Sequence, residues 1–311
     1  MAMRLSDEQL EWLADRVPDA PVSAKGGRPA MDKRRAVRGI FWVLDNGAKW
    51  KDLPREFGAK SSVHKYFTMW VRAGVFENLM RDAGGLVEER GGYWRYECFV
   101  DGTFSKARGG GDGVGLTKAG KGVTIMVLVD ARGLPIAVTT GSTGPHESRL
   151  VQGLLDFMLT VDAPARIIGD KAQDSDALDD ELDDEGIELI APHRRNRRPE
   201  NATQDGRKLR RYKRRWTVQR TISLFQNFRR LCIRYEKSTT LFQGFLHLGC
   251  SIILLKQVLR ISSISPSKHE FIAAAARHLA SRGGAGEPET GDCLAADPGR
   301  PFSPRCVRTL A

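Results

Sequence analysis

YECFVDGTFSKA, residues 96–107, is followed by GVTIMVLVDARG (122–133) and LPIAVTTGS (134–142). All three are rich in β-branched and apolar residues and are separated by Gly-rich turns, which predicts three consecutive strands. HESRLVQGLLDFMLT then reads as a helix, ARIIGDKA as a strand, DALDDELDDEG as an acidic helix and IELIAPH as another strand. The order βββαβαβ, a basic insertion and then helices predicts an α/β core, a mixed sheet with helices packed on it. Asp101 follows the apolar run CFV, and Asp170 follows RIIG in a second strand. Singly, each aspartate reads as the cap of a turn. As a pair at the ends of neighbouring strands they can hold divalent cations through hard oxygen ligands.

Residues 1–90 have another texture. SDEQLEWLADRV opens with a Ser-x-x-Gln capping box, DKRRAVRGIFWVLDNG is amphipathic with a Gly47 stop, and SSVHKYFTMWVRAG begins on serine caps. Short helices with tight turns suggest a helix-turn-helix, with Lys60, Ser61, Ser62, His64 and Lys65 at its DNA-facing end. A small helical bundle without DNA would read the same way. Residues 91–260 form the predicted core, with the basic insertion near 194–211. Residues 261–311, rich in Gly, Pro and small side chains, read as a disordered tail.

The net charge of +11 is concentrated in one region: residues 194–237 hold sixteen Lys/Arg against three Asp/Glu. This stripe also carries Trp216, Phe225 and Phe228, a composition suited to a polyphosphate partner. The plainer alternative is a solvated basic helix. Within it lies YKRRWTVQRTISLFQNFRRL, residues 212–231. At about 100° per residue, Tyr212, Arg215, Gln219 and Gln226 fall on one stripe of a helix.

Other features exclude functions. GLTKAGKG (115–122) nearly matches the P-loop, but its last position is Gly122 and it feeds a strand, so it reads as a hairpin. Five scattered cysteines fit neither a disulfide framework nor a zinc site. There is no run of about eighteen apolar residues, so no membrane span is expected; the apolar segment at 240–260 reads as a buried helix. The N-terminus lacks a secretory apolar region, which predicts a cytoplasmic protein. His146 and Glu147 read as a helix N-terminus or, less directly, as neighbours of a site. The acidic run 174–188 reads as a solvated helix face.

ECFVDGTFSKA, IIGDKAQDSDALDDEL and RYKRRWTVQRTISLFQNFRRLCIRYEKS resemble the three blocks of bacterial insertion-sequence transposases with a DDE core, of the insertion-sequence family five group. The third block's signature is Tyr-x2-Arg-x3-Glu-x6-Lys, and Tyr212 and Arg215 match its spacing. The resemblance implies a ribonuclease-H-like sheet, two Mg²⁺ or Mn²⁺ ions, and double-stranded DNA as partner, both transposon ends and target. It implies hydrolysis at the element's ends, then attack of the freed 3′-hydroxyl on target DNA by a homodimer or larger assembly at the nucleoid. Asp101 and Asp170 become the first two metal-binding catalytic acids. Tyr212 and Arg215, with Lys213, Arg214 and Arg220 beside them, become DNA-binding.

Gln219 occupies the third acidic position, and Gln226 the lysine position. Glutamine keeps the shape of glutamate without its charge or basicity, which predicts a rate lowered by about 10²- to 10⁴-fold. Glu236 would lie about 25 Å along a continuous helix and cannot substitute. Asp174 and Asp176 are nearer stand-ins. The rival readings are a transposase-derived DNA-binding protein or repressor without catalysis, and a metal-dependent nuclease without strand transfer.

Overall fold

The computed structural model describes residues 5–263 apart from 20–29, 144–147, 161, 198–199 and 201–205. His146, Glu147 and the tail beyond 263, with Cys293 and Cys306, lie outside the described residues. Among the described cysteines, Cys98 and Cys250 are buried, Cys232 is half-buried, and all three are free thiols.

Four helices come first: α1 (Asp7–Arg16), α2 (Lys33–Asn46), α3 (Lys60–Arg72) and α4 (Val75–Glu89). The Ser6–Gln9 capping box forms on both sides and starts α1. Gly47 ends α2 in the left-handed region, and a Cβ there would sit 2.8 Å from the Arg229 Cβ. Glycine is therefore required both by the turn and by the close approach of residue 229.

One expectation for this region needs correction. The N-cap of α3 is Ala59 with no side-chain cap, so Ser61 and Ser62 lie inside its first turn rather than before it. Residues 47–59 between α2 and α3 hold two short 3₁₀ turns, Trp50–Asp52 and Arg55–Phe57, a longer connection than a tight turn. The reason is Trp50. Its ring leaves this connection to pack 5.4 Å from Phe67 and 6.0 Å from Phe245, so the connection serves as core.

The sheet contains β1 (Cys98–Ala107), β2 (Gly115–Thr117), β3 (Gly120–Val129), β4 (Pro135–Ser142), β5 (Arg166–Ile168), β6 (Glu188–Ile190) and β7 (Ile233–Arg234). β1, β3 and β4 form an antiparallel meander, while β5 pairs parallel to β1 and β6 parallel to β5. This is the expected mixed, ribonuclease-H-like sheet. The segment 115–122 is the β2–β3 hairpin, where Thr117 Oγ1 donates to the Gly120 carbonyl and accepts from the Ala119 N–H.

The remaining helices are α5 (Ser148–Leu155), α6 (Asp176–Asp184), α7 (Trp216–Gln226), α8 (Arg229–Cys232) and α9 (Thr239–Ser263). α7 packs on β1 and β3 through Val218, Ile222 and Phe225. By length and composition α9 could cross a membrane, but 78% of the qualifying window is buried against the rest of the protein. It packs along α4 and β4, and Gly244 lets Val71 of α3 approach so closely that a Cβ would meet its Cγ2. Residues 1–263 accordingly form one compact unit, with α9 shared between the helices and the sheet.

Candidate active site

Register brings the two aspartates together. Phe99 of β1 lies opposite Ile168 of parallel β5, and Asp101 and Asp170 each follow by two residues. Side chains alternate with period two along a strand, so both carboxylates are delivered to the same side. β1 continues to Ala107, so Asp101 sits within the strand, opposite Val127, rather than at its end. The strand continues because residues 102–106 pair with β3 and Ala107 with β7, long-range contacts invisible to a local reading. Asp170 lies past β5 and also caps a turn, its Oδ1 accepting the Ala172 N–H at 2.7 Å.

Arg215 closes this pair. Its Nη1 lies 3.3 Å from Asp101 Oδ2 and 3.4 Å from Asp170 Oδ2. One guanidinium nitrogen thus marks a point where two carboxylates converge. The donor set fits a hard divalent cation such as Mg²⁺, which takes one or two carboxylates and completes its shell with water and phosphate oxygens. Among the described residues, no group of three or more His, Cys, Asp or Glu is arranged to hold a metal.

Arg215 is placed by a change in winding. Lys208–Arg215 is a 3₁₀ helix, and the α-helix begins at Trp216. At three residues per turn Tyr212 and Arg215 eclipse each other, and the Arg215 guanidinium lies 5.5 Å from the Tyr212 ring centroid. The continuous helix expected from residue 212 is therefore replaced by two helical forms, and Tyr212 backs the arginine. Gln219 is one α-turn beyond Arg215 on the same face, exposed, and its side chain has no hydrogen bond among the described residues.

The possible substitutes for a third acid are committed elsewhere. Asp174 accepts from the Arg194 N–H, Arg197 and His193, which fixes loop 193–197. Asp176 pairs with Arg197. Glu236 is buried against Arg230, and α7 ends at Gln226, so no continuous helix leads to it.

Much of the basic stripe is also committed, which corrects the count of free charge. Arg211 and Arg214 both pair with buried Glu97, at 2.7 and 2.6 Å. Arg230 and Arg234 are buried, and Lys208 pairs with Glu188. Arg220 donates to the Arg132 carbonyl, a neutral partner that leaves its charge uncompensated. Lys213 is exposed. Half-buried Asp179 in the acidic helix is pushed up to about 6 by burial, so this face is not fully solvated.

On α3, Lys60 and Lys65 are exposed, and Ser62 is half-buried. His64 leans edge-on against Trp50 at 5.0 Å, and burial lowers its pKa, which disfavours a phosphate-binding imidazolium. An open groove of about 680 Å³ runs past Ser61, Lys65, Thr68 and Arg72. Sequence reading missed Thr68 and Arg72, although their helical spacing from Ser61 and Lys65 was available.

Comparison with known proteins matches this architecture. A family model described as "Putative transposase of IS4/5 family" matches residues 5–80, and one described as "Transposase DDE domain" matches residues 95–254. The chain belongs to the DDE transposase family. It is 30% identical over 135 residues to "Putative transposase for insertion sequence element IS402" of Burkholderia cepacia, covering 41% of this chain and 60% of that protein. It is 31% identical over 133 residues to the IS6501 counterpart of Brucella ovis, covering 42% of this chain and 95% of that protein. The chain thus spans only part of the IS402 relative's length. A piggyBac transposase synaptic complex with hairpin DNA aligns over 85% of this chain and 75% of its own, at 13% identity and a TM-score of 0.46. That likeness is too distant to bear on the site.

Family membership implies divalent-metal use, and the Asp101 carboxyl is itself sensitive to pH. Burial raises the Asp101 pKa; Arg215 opposes the shift and Asp170 adds to it. The folded chain therefore binds this proton more tightly than the unfolded one. Its stabilising contribution is complete below the ordinary carboxylate range and is lost as pH rises through the raised folded value. A metal held by Asp101 would compete with this proton for one oxygen, so Mn²⁺ affinity would rise over the same interval. Calorimetric Mn²⁺ titration and urea unfolding followed upward from the ordinary carboxylate range should show both slopes; Asp101→Asn should flatten the first and reduce the second, to which Asp179 also contributes.

Proposed function

We propose that the chain is an insertion-sequence DNA transposase that binds terminal inverted repeats and cuts and joins strands at Asp101 and Asp170. The observation that carries this reading is the convergence of these carboxylates, from adjacent parallel strands, on one nitrogen of Arg215. Mg²⁺ or Mn²⁺ held there, as a pair of ions, would neutralise phosphate charge and lower the pKa of a water or 3′-hydroxyl.

The protein's own residues supply the positioning. Arg215, backed by Tyr212, turns from the carboxylates to a DNA phosphate, a charge-assisted contact suited to its planar fork. Lys213 adds exposed charge beside it. Lys60, Lys65 and Arg72 along α3 contact the duplex backbone, with Ser62 near the helix start and Arg214 and Arg220 as structural anchors of the stripe. Holding two ends together requires at least a homodimer on DNA, in the cytoplasm at the nucleoid.

A second reading is favoured by one specific observation. Gln219 leaves the site with two carboxylates, so binding without efficient catalysis is the expected behaviour of the chain as it stands. Gel shifts with duplex DNA carrying the element's ends should show binding that weakens steeply with salt. Mn²⁺ assays should show only slow cleavage, abolished by Asp170→Asn. Absence of salt-sensitive duplex binding would overturn the proposal. Cleaved ends that never join to target DNA would identify a nuclease instead.

A further inference from the structure

Two tryptophans stand out on the surface: Trp94 and Trp216, 59% and 57% exposed. Each carries a guanidinium over its ring, Arg132 at 5.1 Å from the Trp94 centroid and Arg220 at 5.3 Å from that of Trp216. The two pairs are connected, because Arg220 Nη2 donates to the Arg132 carbonyl. Arginine therefore backs two indoles that remain more than half exposed.

The assembly is held rigidly. Asp130, fully buried at the end of β3, accepts the Trp94 N–H, the Arg132 N–H and the Leu134 N–H at 2.9, 2.9 and 2.7 Å. That carboxylate locks the β3–β4 turn to the strand entrance carrying Trp94. Thr221 Oγ1 donates to the Gly133 carbonyl at 2.7 Å, which fixes α7 on the same turn. Trp216 directly follows Arg215, the residue that bridges Asp101 and Asp170.

A phosphate gains little from an indole face, and an apolar protein surface gains little from two guanidinium groups. A ligand with both negative charge and open aromatic faces gains from each. Bases inside a duplex are stacked on one another and cannot offer a face. We propose that Trp94, Arg132, Arg220 and Trp216 form a stacking platform for unpaired bases of a DNA strand leaving the Asp101–Asp170 site. This rests on the DNA-transposase reading above and specifies which form of DNA that site takes.

The test uses the full chain and three DNA probes sharing one duplex: blunt, with a six-thymidine single-stranded tail, and with a tail of six abasic units. Removing one aromatic platform costs about 5- to 150-fold in affinity for single strands. The wild-type chain is expected to prefer the thymidine tail over the abasic tail by about ten-fold or more. Trp94→Ala and Trp216→Ala should each remove most of that preference without changing blunt-duplex affinity, whereas Trp216→Phe should keep part of it. Both tryptophans are exposed, and unchanged thermal melting would confirm that the alanine variants fold.

Equal affinity of the wild-type chain for thymidine and abasic tails overturns the platform while leaving duplex binding intact. Preference for the thymidine tail without blunt-duplex binding supports the platform and overturns the duplex-end reading. Loss of self-association in the alanine variants, with no tail preference in the wild type, would assign the patch to a second copy of the chain and overturn the proposal.

Discussion

Replacing Gln219 with glutamate is expected to raise Mn²⁺-dependent cleavage of transposon-end DNA by about 10²- to 10⁴-fold. Gln219 of α7 lies one turn beyond Arg215, the residue just before that helix, and Arg215 already touches both aspartates. A carboxylate at 219 would add a third negative charge beside the two acids of the proposed cation site. The substitution preserves shape and lies at an exposed position, so folding should be unaffected. Gln219→Ala is the matched control and should leave the slow rate of the unmodified chain nearly unchanged. Cleavage of labelled ends in single-turnover conditions measures all three. Fast cleavage by the unmodified chain, unaltered by the glutamate, would show that this position carries no catalytic charge.

The second large effect concerns stability. Arg230 is buried with Glu236, Nε to Oε1 at 3.0 Å, and its Nη1 donates to the Ala48 carbonyl at 2.6 Å. Its guanidinium also stacks 4.5 Å from the Tyr235 ring centroid. Glu236→Gln leaves an arginine that cannot lose its proton, buried without a counter-charge, which costs about 3–5 kcal/mol. Urea unfolding should show the loss as a lower midpoint with an unchanged slope. Because Arg230 ties the end of α2 to α8, the N-terminal helices should lose amide protection first. Replacing both partners, Arg230→Met with Glu236→Leu, should recover most of the stability, since the cost lies in the unpaired charge.

The positions of the main strands were legible because each is an apolar run bounded by glycine or acidic turns. The extent of β1 was not, since Thr103 to Lys106 are held by pairing with β3 rather than by their own propensity. Asp101 and Asp170 could be nominated from sequence, but their meeting depends on the parallel register of β1 and β5. The core role of the connection between α2 and α3 was not legible, because Trp50 is claimed by Phe67 and Phe245, the latter nearly two hundred residues away in sequence. The basic stripe was overestimated for a similar reason. Glu97 lies more than a hundred residues before Arg211 and Arg214, and no composition window links them. Trp94 and Arg132 drew no notice at all, because neither belongs to a motif and only the turn at Asp130 joins them.

The parallel pairing of Phe99 with Ile168 has a consequence for how such a chain can change over generations. Loops such as that between β1 and β2 can lengthen or shorten with little effect on where the carboxylates lie. A single codon gained or lost between Phe99 and Asp101, or between Ile168 and Asp170, would turn one carboxylate to the opposite side of the sheet. Two codons would restore the side but move the carboxylate by about 7 Å. The spacing is thus inherited as a parity, and small insertions near these strands would undo the convergence of the two carboxylates in one step, whereas a substitution elsewhere leaves it in place.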